Sequence, residues 1–153
     1  MPAMRNRREI LKPSLAVAGL LGASGLFPYA ARAATRSAFD ARTLGEAARA
    51  YGAGIPVESG DVQLTAPEMA ENGAVVPFTI ATTLPNVRAL LLLVEKNPVV
   101  LVAKFDVNEF VEPNFSLRSK MAETCNVYAV ALTNDSKAFF ARRQVQVTIG
   151  GCG

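Results

Sequence analysis

The chain has 153 residues, half of them apolar, which is material for one ordinary domain with a real core. Its formal charge is +3, but the first 33 residues hold five basic residues and one acidic residue; the rest carry 11 basic and 12 acidic residues, a net −1 that gives no ground for a nucleic-acid or anionic-membrane partner. The absence of histidine excludes Ser-His-Asp and Cys-His nucleophilic systems, the usual imidazole base, and most zinc and copper sites.

Taken in chain order, the first element predicted is an export signal over residues 1–33. Arg7-Arg8 opens a charged region, Leu15 to Phe27 is apolar apart from Ser24, and Ala31-Arg32-Ala33 presents small residues where a signal peptidase reads. The apolar run of 13 residues is too short for a bilayer span of ~20. Asn6-Arg7-Arg8-Glu9-Ile10-Leu11-Lys12 resembles the twin-arginine pattern, although Asn6 stands where Ser or Thr is usual. Export by the twin-arginine route, cleavage after Ala33 and a periplasmic location are the expectations.

Residues 34–149 are expected to form one domain. Leu44, Ala47, Ala48 and Tyr51 recur at helical spacing with Phe39 leading in, so a helix is predicted over Ser37–Tyr51. Ser37 with Asp40 reads as its N-terminal cap and Gly52 as its stop. Seven strands are predicted near Asp61–Ala66, Ala74–Thr82, Val87–Glu95, Val99–Phe105, Asn114–Ser119, Cys125–Leu132 and Ala138–Ile149. The breaks fall at Glu71-Asn72-Gly73, Leu84-Pro85-Asn86, Lys96-Asn97-Pro98, Glu112-Pro113 and Asn134-Asp135. Short strands at this spacing, with a single short N-terminal helix, predict a mainly β, immunoglobulin-like antiparallel β-sandwich.

Two of these strands do not alternate. Ala89–Val94 and Val99–Ala103 are apolar on both faces, so each face needs a cover. The opposing sheet covers one. The N-terminal helix or a partner subunit covers the other.

Readable catalytic motifs are missing. Gly52-Ala53-Gly54 is too short for a phosphate loop, the carboxylates are scattered, and there is no CxxC. Met69 and Met121 read as core filler rather than metal ligands. No catalytic residue, metal site or cofactor is expected.

Two cysteines remain, Cys125 and Cys152. A hairpin about Asn134-Asp135 places Cys125 opposite a residue near Val145, so Cys152 lies about seven residues further along, roughly 23 Å at ~3.3 Å per residue. A disulfide requires Cα atoms within about 7 Å, so a bond between the two is not expected. Cys125 shares a strand face with Val127, Ala129 and Ala131 and reads as a buried, inert thiol. Cys152 follows an alternating strand and sits among Gly150, Gly151 and Gly153, a thin and flexible four-residue arm. No cation lies in that arm, and the terminal carboxylate of Gly153 disfavours the thiolate. Activation must come from whatever the arm enters, which suits a cargo-attachment point better than a catalyst.

Several segments together resemble the SoxY family of sulfur carriers in bacterial thiosulfate oxidation. They are Leu64–Pro77, Glu95-Lys96-Asn97-Pro98, Phe139-Phe140-Ala141-Arg142-Arg143 and the end Val145–Gly153. The resemblance implies an immunoglobulin-like domain paired with SoxZ, with sulfur intermediates carried on Cys152. It also implies transient contacts with the cytochrome SoxXA, the hydrolase SoxB and a sulfane dehydrogenase. The family typically ends Gly-Gly-Cys-Gly-Gly, and this sequence stops one glycine short. Two other classes predict different behaviour. A binding or assembly module without covalent cargo would tolerate Cys152→Ser, and a thiol redox enzyme would turn over disulfides unaided.

Overall fold

The doubly apolar strands lie at the centre of the molecule. The computed structural model describes residues 38–148; the predicted export signal and the Gly150–Gly153 arm lie outside the described residues. Among the described residues are helix α1 (Leu44–Ala50) and nine strands. The strands are β1 (Val57–Glu58), β2 (Val62–Thr65), β3 (Met69–Ala70), β4 (Val76–Thr82), β5 (Val87–Val94), β6 (Leu101–Asp106), β7 (Asn114–Ser119), β8 (Cys125–Thr133) and β9 (Ala138–Val147). The larger sheet runs β1-β9-β8-β5-β6, with β3 also on β9; the smaller runs β2-β4-β7. The antiparallel sandwich expected from the turn spacing is the architecture found.

Alternate residues of the central strands fill two cores. Leu90, Leu92 and Val94 with Val127, Ala129 and Ala131 meet Val76, Phe78 and Ile80 of the smaller sheet. Leu91 and Leu93 with Val130 and Leu132 point the other way, into a second core with Ala38, Ala41, Ala47, Ala48 and Ala53. Leu90 to Leu93 are all fully buried, and each such side chain contributes about 1.5–3 kcal/mol relative to exposure. The N-terminal helical segment is therefore what covers the second face. Its alanines carry no bulk beyond Cβ and let it lie close to the sheet.

Ala38 and Phe39 are helical within the predicted span, but the helix is interrupted and its longer part begins at Leu44. The predicted cap Ser37 lies outside the described residues. Thr43 is the N-cap of the longer part: its side chain accepts from the Glu46 amide at 3.2 Å, and Glu46 accepts from the Arg42 amide at 2.7 Å. This is close to a reciprocal capping box, one residue off the usual geometry. Gly52 ends the helix as expected, at φ +71°, where a side chain would be strained. The Arg88 guanidinium donates to the carbonyls of Tyr51 and Thr133, tying the helix end to β8.

The β8–β9 hairpin has the predicted register, with Cys125 opposite Val145. Its turn is held by Ser136 at φ 62° and by the Asp135–Lys137 pair at 2.6 Å. Two strands escaped the sequence reading. Both β1 and β3 are two residues long and run parallel to β9, Val57 beside Phe139 and Met69 beside Gln146. Two residues cannot display a period. Met69 is a further correction: Met121 is buried as core filler, but Met69 is 54% exposed because only Ala70 of β3 turns inward.

Candidate functional site

The chemistry singled out in the sequence follows β9. Cys152, Gly150, Gly151 and Gly153 are outside the described residues, so the described part of the site is its root, the end of β9 up to Thr148.

That root is held on both sides. Toward β3, the Gln146 amide donates to the Glu68 carbonyl at 2.9 Å and the Thr148 amide to the Ala70 carbonyl at 3.1 Å. The Thr148 hydroxyl donates to the same Ala70 carbonyl at 3.2 Å. Toward β8, the Val147 amide donates to the Thr124 hydroxyl at 2.9 Å. Thr124 precedes β8, so its side chain carries the ladder one step past the strand. Successive amides of a strand point to opposite sides; all three have partners here.

Three loops converge on the same end. Gly73 sits so close to β9 that a Cβ there would lie 2.8 Å from Val147 Cγ1 and 2.7 Å from the Met121 carbonyl oxygen. The Gly73 carbonyl accepts from the Met121 amide at 2.8 Å. Asn97 holds the Met121 loop in turn, its amide donating to the Lys120 carbonyl at 2.7 Å and its oxygen accepting from the Ala122 amide at 3.0 Å. Segments distant in sequence, around Gly73, Asn97 and Thr124, thus meet at the end of β9. Pattern reading had marked the first two only as turns; their convergence depends on the packing of the two sheets.

Cys125 is a free thiol, 4% exposed, in the core between the sheets. Burial is the main cause that pushes its pKa up, and the Glu95 charge adds to it; backbone hydrogen bonds from Lys96 and Glu95 and the Lys96 charge oppose it. It is therefore held as a neutral thiol, the inert role read from the sequence.

Nothing else among the described residues resembles a reaction centre. No group of three or more His, Cys, Asp or Glu side chains is placed to hold a metal. A cleft of about 340 Å³ lies at the far end of the sandwich, lined by Leu84, Pro85, Asn86, Thr133, Asp135 and Phe139. Its one carboxylate, Asp135, is solvent-exposed, and the hydrogen bonds from Lys137 and Thr133 hold its pKa below the usual range.

Fold and site geometry define an immunoglobulin-like β-sandwich whose final strand is braced to its last described residues. The chain belongs to the SoxY family: the sulfur oxidation protein SoxY matches residues 47–152. It is similar to the structure of the sulfur carrier protein SoxY from Chlorobium limicola f thiosulfatophilum. The two are 41% identical over 61% of this chain and 84% of that one, with a TM-score of 0.56. A variant of the superoxide reductase neelaredoxin from Ignicoccus hospitalis shares the fold alone, at 19% identity over 57% of this chain and 79% of that one, with a TM-score of 0.50. No curated protein matches the chain.

Proposed function

We propose that the protein is a periplasmic sulfur carrier of thiosulfate oxidation that holds its cargo covalently on Cys152 and is not itself an enzyme. The observation that carries this reading is the extent of the family match: it runs to residue 152 and so takes in the Gly-Gly-Cys segment. The second thiol supports it, since Cys125 is enclosed in the core and cannot present a cargo. The twin-arginine leader supports a periplasmic location.

In this reading the Cys152 thiol and thiosulfate join through a new S–S bond. The product is a cysteine S-thiosulfonate; one proton and two electrons are released, and SoxXA, a c-type cytochrome, accepts the electrons. Hydrolysis by SoxB adds one water across the S–SO3 bond, freeing sulfate and leaving a persulfide on Cys152. A sulfane dehydrogenase then oxidises the remaining sulfur. SoxZ is the proposed partner subunit. In this reading the carrier's own residues need only present the sulfur.

The test is an intact mass of the mature protein from its host grown on thiosulfate, before and after a thiol reductant, with the adduct mapped by fragmentation. Reductant-labile sulfur on Cys152 is the expected result. Unmodified Cys152, or Cys152 joined to Cys125, overturns the proposal.

A further inference from the structure

The contacts at the end of β9 have no part in the chemistry proposed for Cys152, yet they hold the strand on both sides up to Thr148. The amides of Gln146, Val147 and Thr148 each have a partner, on alternating sides. Val147 is further hemmed in by Gly73, a position where an added methyl would come within 2.8 Å of it. Real Cβ atoms are not found at such distances from a backbone oxygen as the 2.7 Å that separates this one from Met121. The constraint at Gly73 is one of space, because its backbone is not in the left-handed region.

We propose that β3, Gly73 and Thr124 form a collar that fixes the point from which the chain departs toward Cys152, so that Gly73 and Thr124 are positioning residues for the sulfur-bearing thiol. The proposal rests on the reading of Cys152 as the attachment site. Covalent geometry gives the collar its purpose. With the root held at Thr148, four Cα–Cα steps separate it from Cys152, a reach of at most ~14 Å. With the root released back to Val145, seven steps give ~25 Å. The effective concentration of a tethered group falls roughly as the −3/2 power of tether length, so at a docked enzyme's centre the thiol is diluted about twofold. The collar would confine the thiol without touching it.

Gly73→Ala and Thr124→Val test this, with Thr124→Ser as the conservative control that keeps the hydroxyl. Three readouts are taken on the whole mature protein: hydrogen exchange of the Val147 and Thr148 amides, the rate of Cys152 loading by SoxXA with thiosulfate followed by intact mass, and the reaction of Cys152 with the small disulfide DTNB. Gly73→Ala is expected to speed exchange at both amides and to slow enzymatic loading about twofold, the factor set by the longer tether. Thr124→Val shifts both in the same direction and Thr124→Ser returns them to wild-type values. DTNB, which needs no docking, reacts at the wild-type rate throughout. Loading at the wild-type rate in Gly73→Ala and Thr124→Val, or unchanged exchange, overturns the collar. Parallel slowing of DTNB and enzymatic loading also overturns it, since the effect would then lie on the thiol and not on its placement. Absence of any adduct on wild-type Cys152 overturns the carrier reading, and the collar's purpose with it.

Discussion

Cys125 and Cys152 have the same side chain and opposite expected behaviour, and the difference is one of surroundings. Cys125 faces the core beside Val145 and is 4% exposed. A native protein should therefore release one equivalent of chromophore from DTNB, and a second only in denaturant. Two fast equivalents in the native state would contradict the burial of Cys125. Burial also makes alkaline stability depend on this thiol. Its folded pKa is raised, chiefly by desolvation. A raised folded pKa means a contribution fully present below the unfolded value of about 8.5 and lost as pH rises through the folded value. Unfolding midpoints in urea should fall between pH 8 and 10, and Cys125→Ala should flatten that fall. Tyr51 and Tyr128, also raised by desolvation first, add a similar loss at higher pH. The buried role of Cys125 was legible because the hairpin centre at Asn134-Asp135 fixes which residues face which. The partners of Thr124 were not legible, since one exposed threonine between strands carries no periodic signal.

At the scale of elements, β5 shows how a run without alternation resolves into two faces. Leu91 packs under the helical segment and Leu92 against the smaller sheet, each fully buried. Leu91→Ala and Leu92→Ala should each cost about 2–5 kcal/mol in urea unfolding, as large cavities do. A negligible cost for Leu91→Ala alone would mean that its face is not covered. The helix depends on its cap: Thr43→Ala removes the acceptor for the Glu46 amide and should cost about 1 kcal/mol, read by the same unfolding curves. The helix was visible from Leu44, Ala47, Ala48 and Tyr51, but the break between Phe39 and Leu44 was not. Ser37–Asp40 and Thr43–Glu46 are the same cap pattern in sequence. The second starts the longer helical part, at Leu44. The short strands β1 and β3 were missed for a related reason: each is defined by the neighbouring edge of β9 and not by its own residues.

At the scale of the molecule, the helical segment and the smaller sheet enclose the larger sheet from both sides. A chain beginning at Val57 would lack Ala38, Ala41, Ala47, Ala48 and Ala53 and would expose Leu91, Leu93, Val130 and Leu132. It should bind an apolar dye and self-associate in sedimentation, whereas the chain that keeps the segment should do so far less. Equal behaviour of the two would show that the second core is dispensable. The two ends of the sandwich also differ in kind. One holds an open cleft with a single exposed carboxylate; the other gathers the loops of Gly73, Asn97 and Thr124 around β9.

The sequence by itself determined the seven longer strands, the hairpin register, the burial of Cys125 and the need for a cover on both faces of β5. Each of these follows from periodicity or from counting residues about a turn, which are local properties of a chain. It also carried the family resemblance that the match over residues 47–152 bears out. Which element covers the second face, where the helical segment breaks, and how β9 is braced were decided only in the tertiary structure. Those depend on residues such as Gly73, Thr124 and Val147, separated by 23 positions or more along the chain, and such contacts exist only once the two sheets have closed on each other.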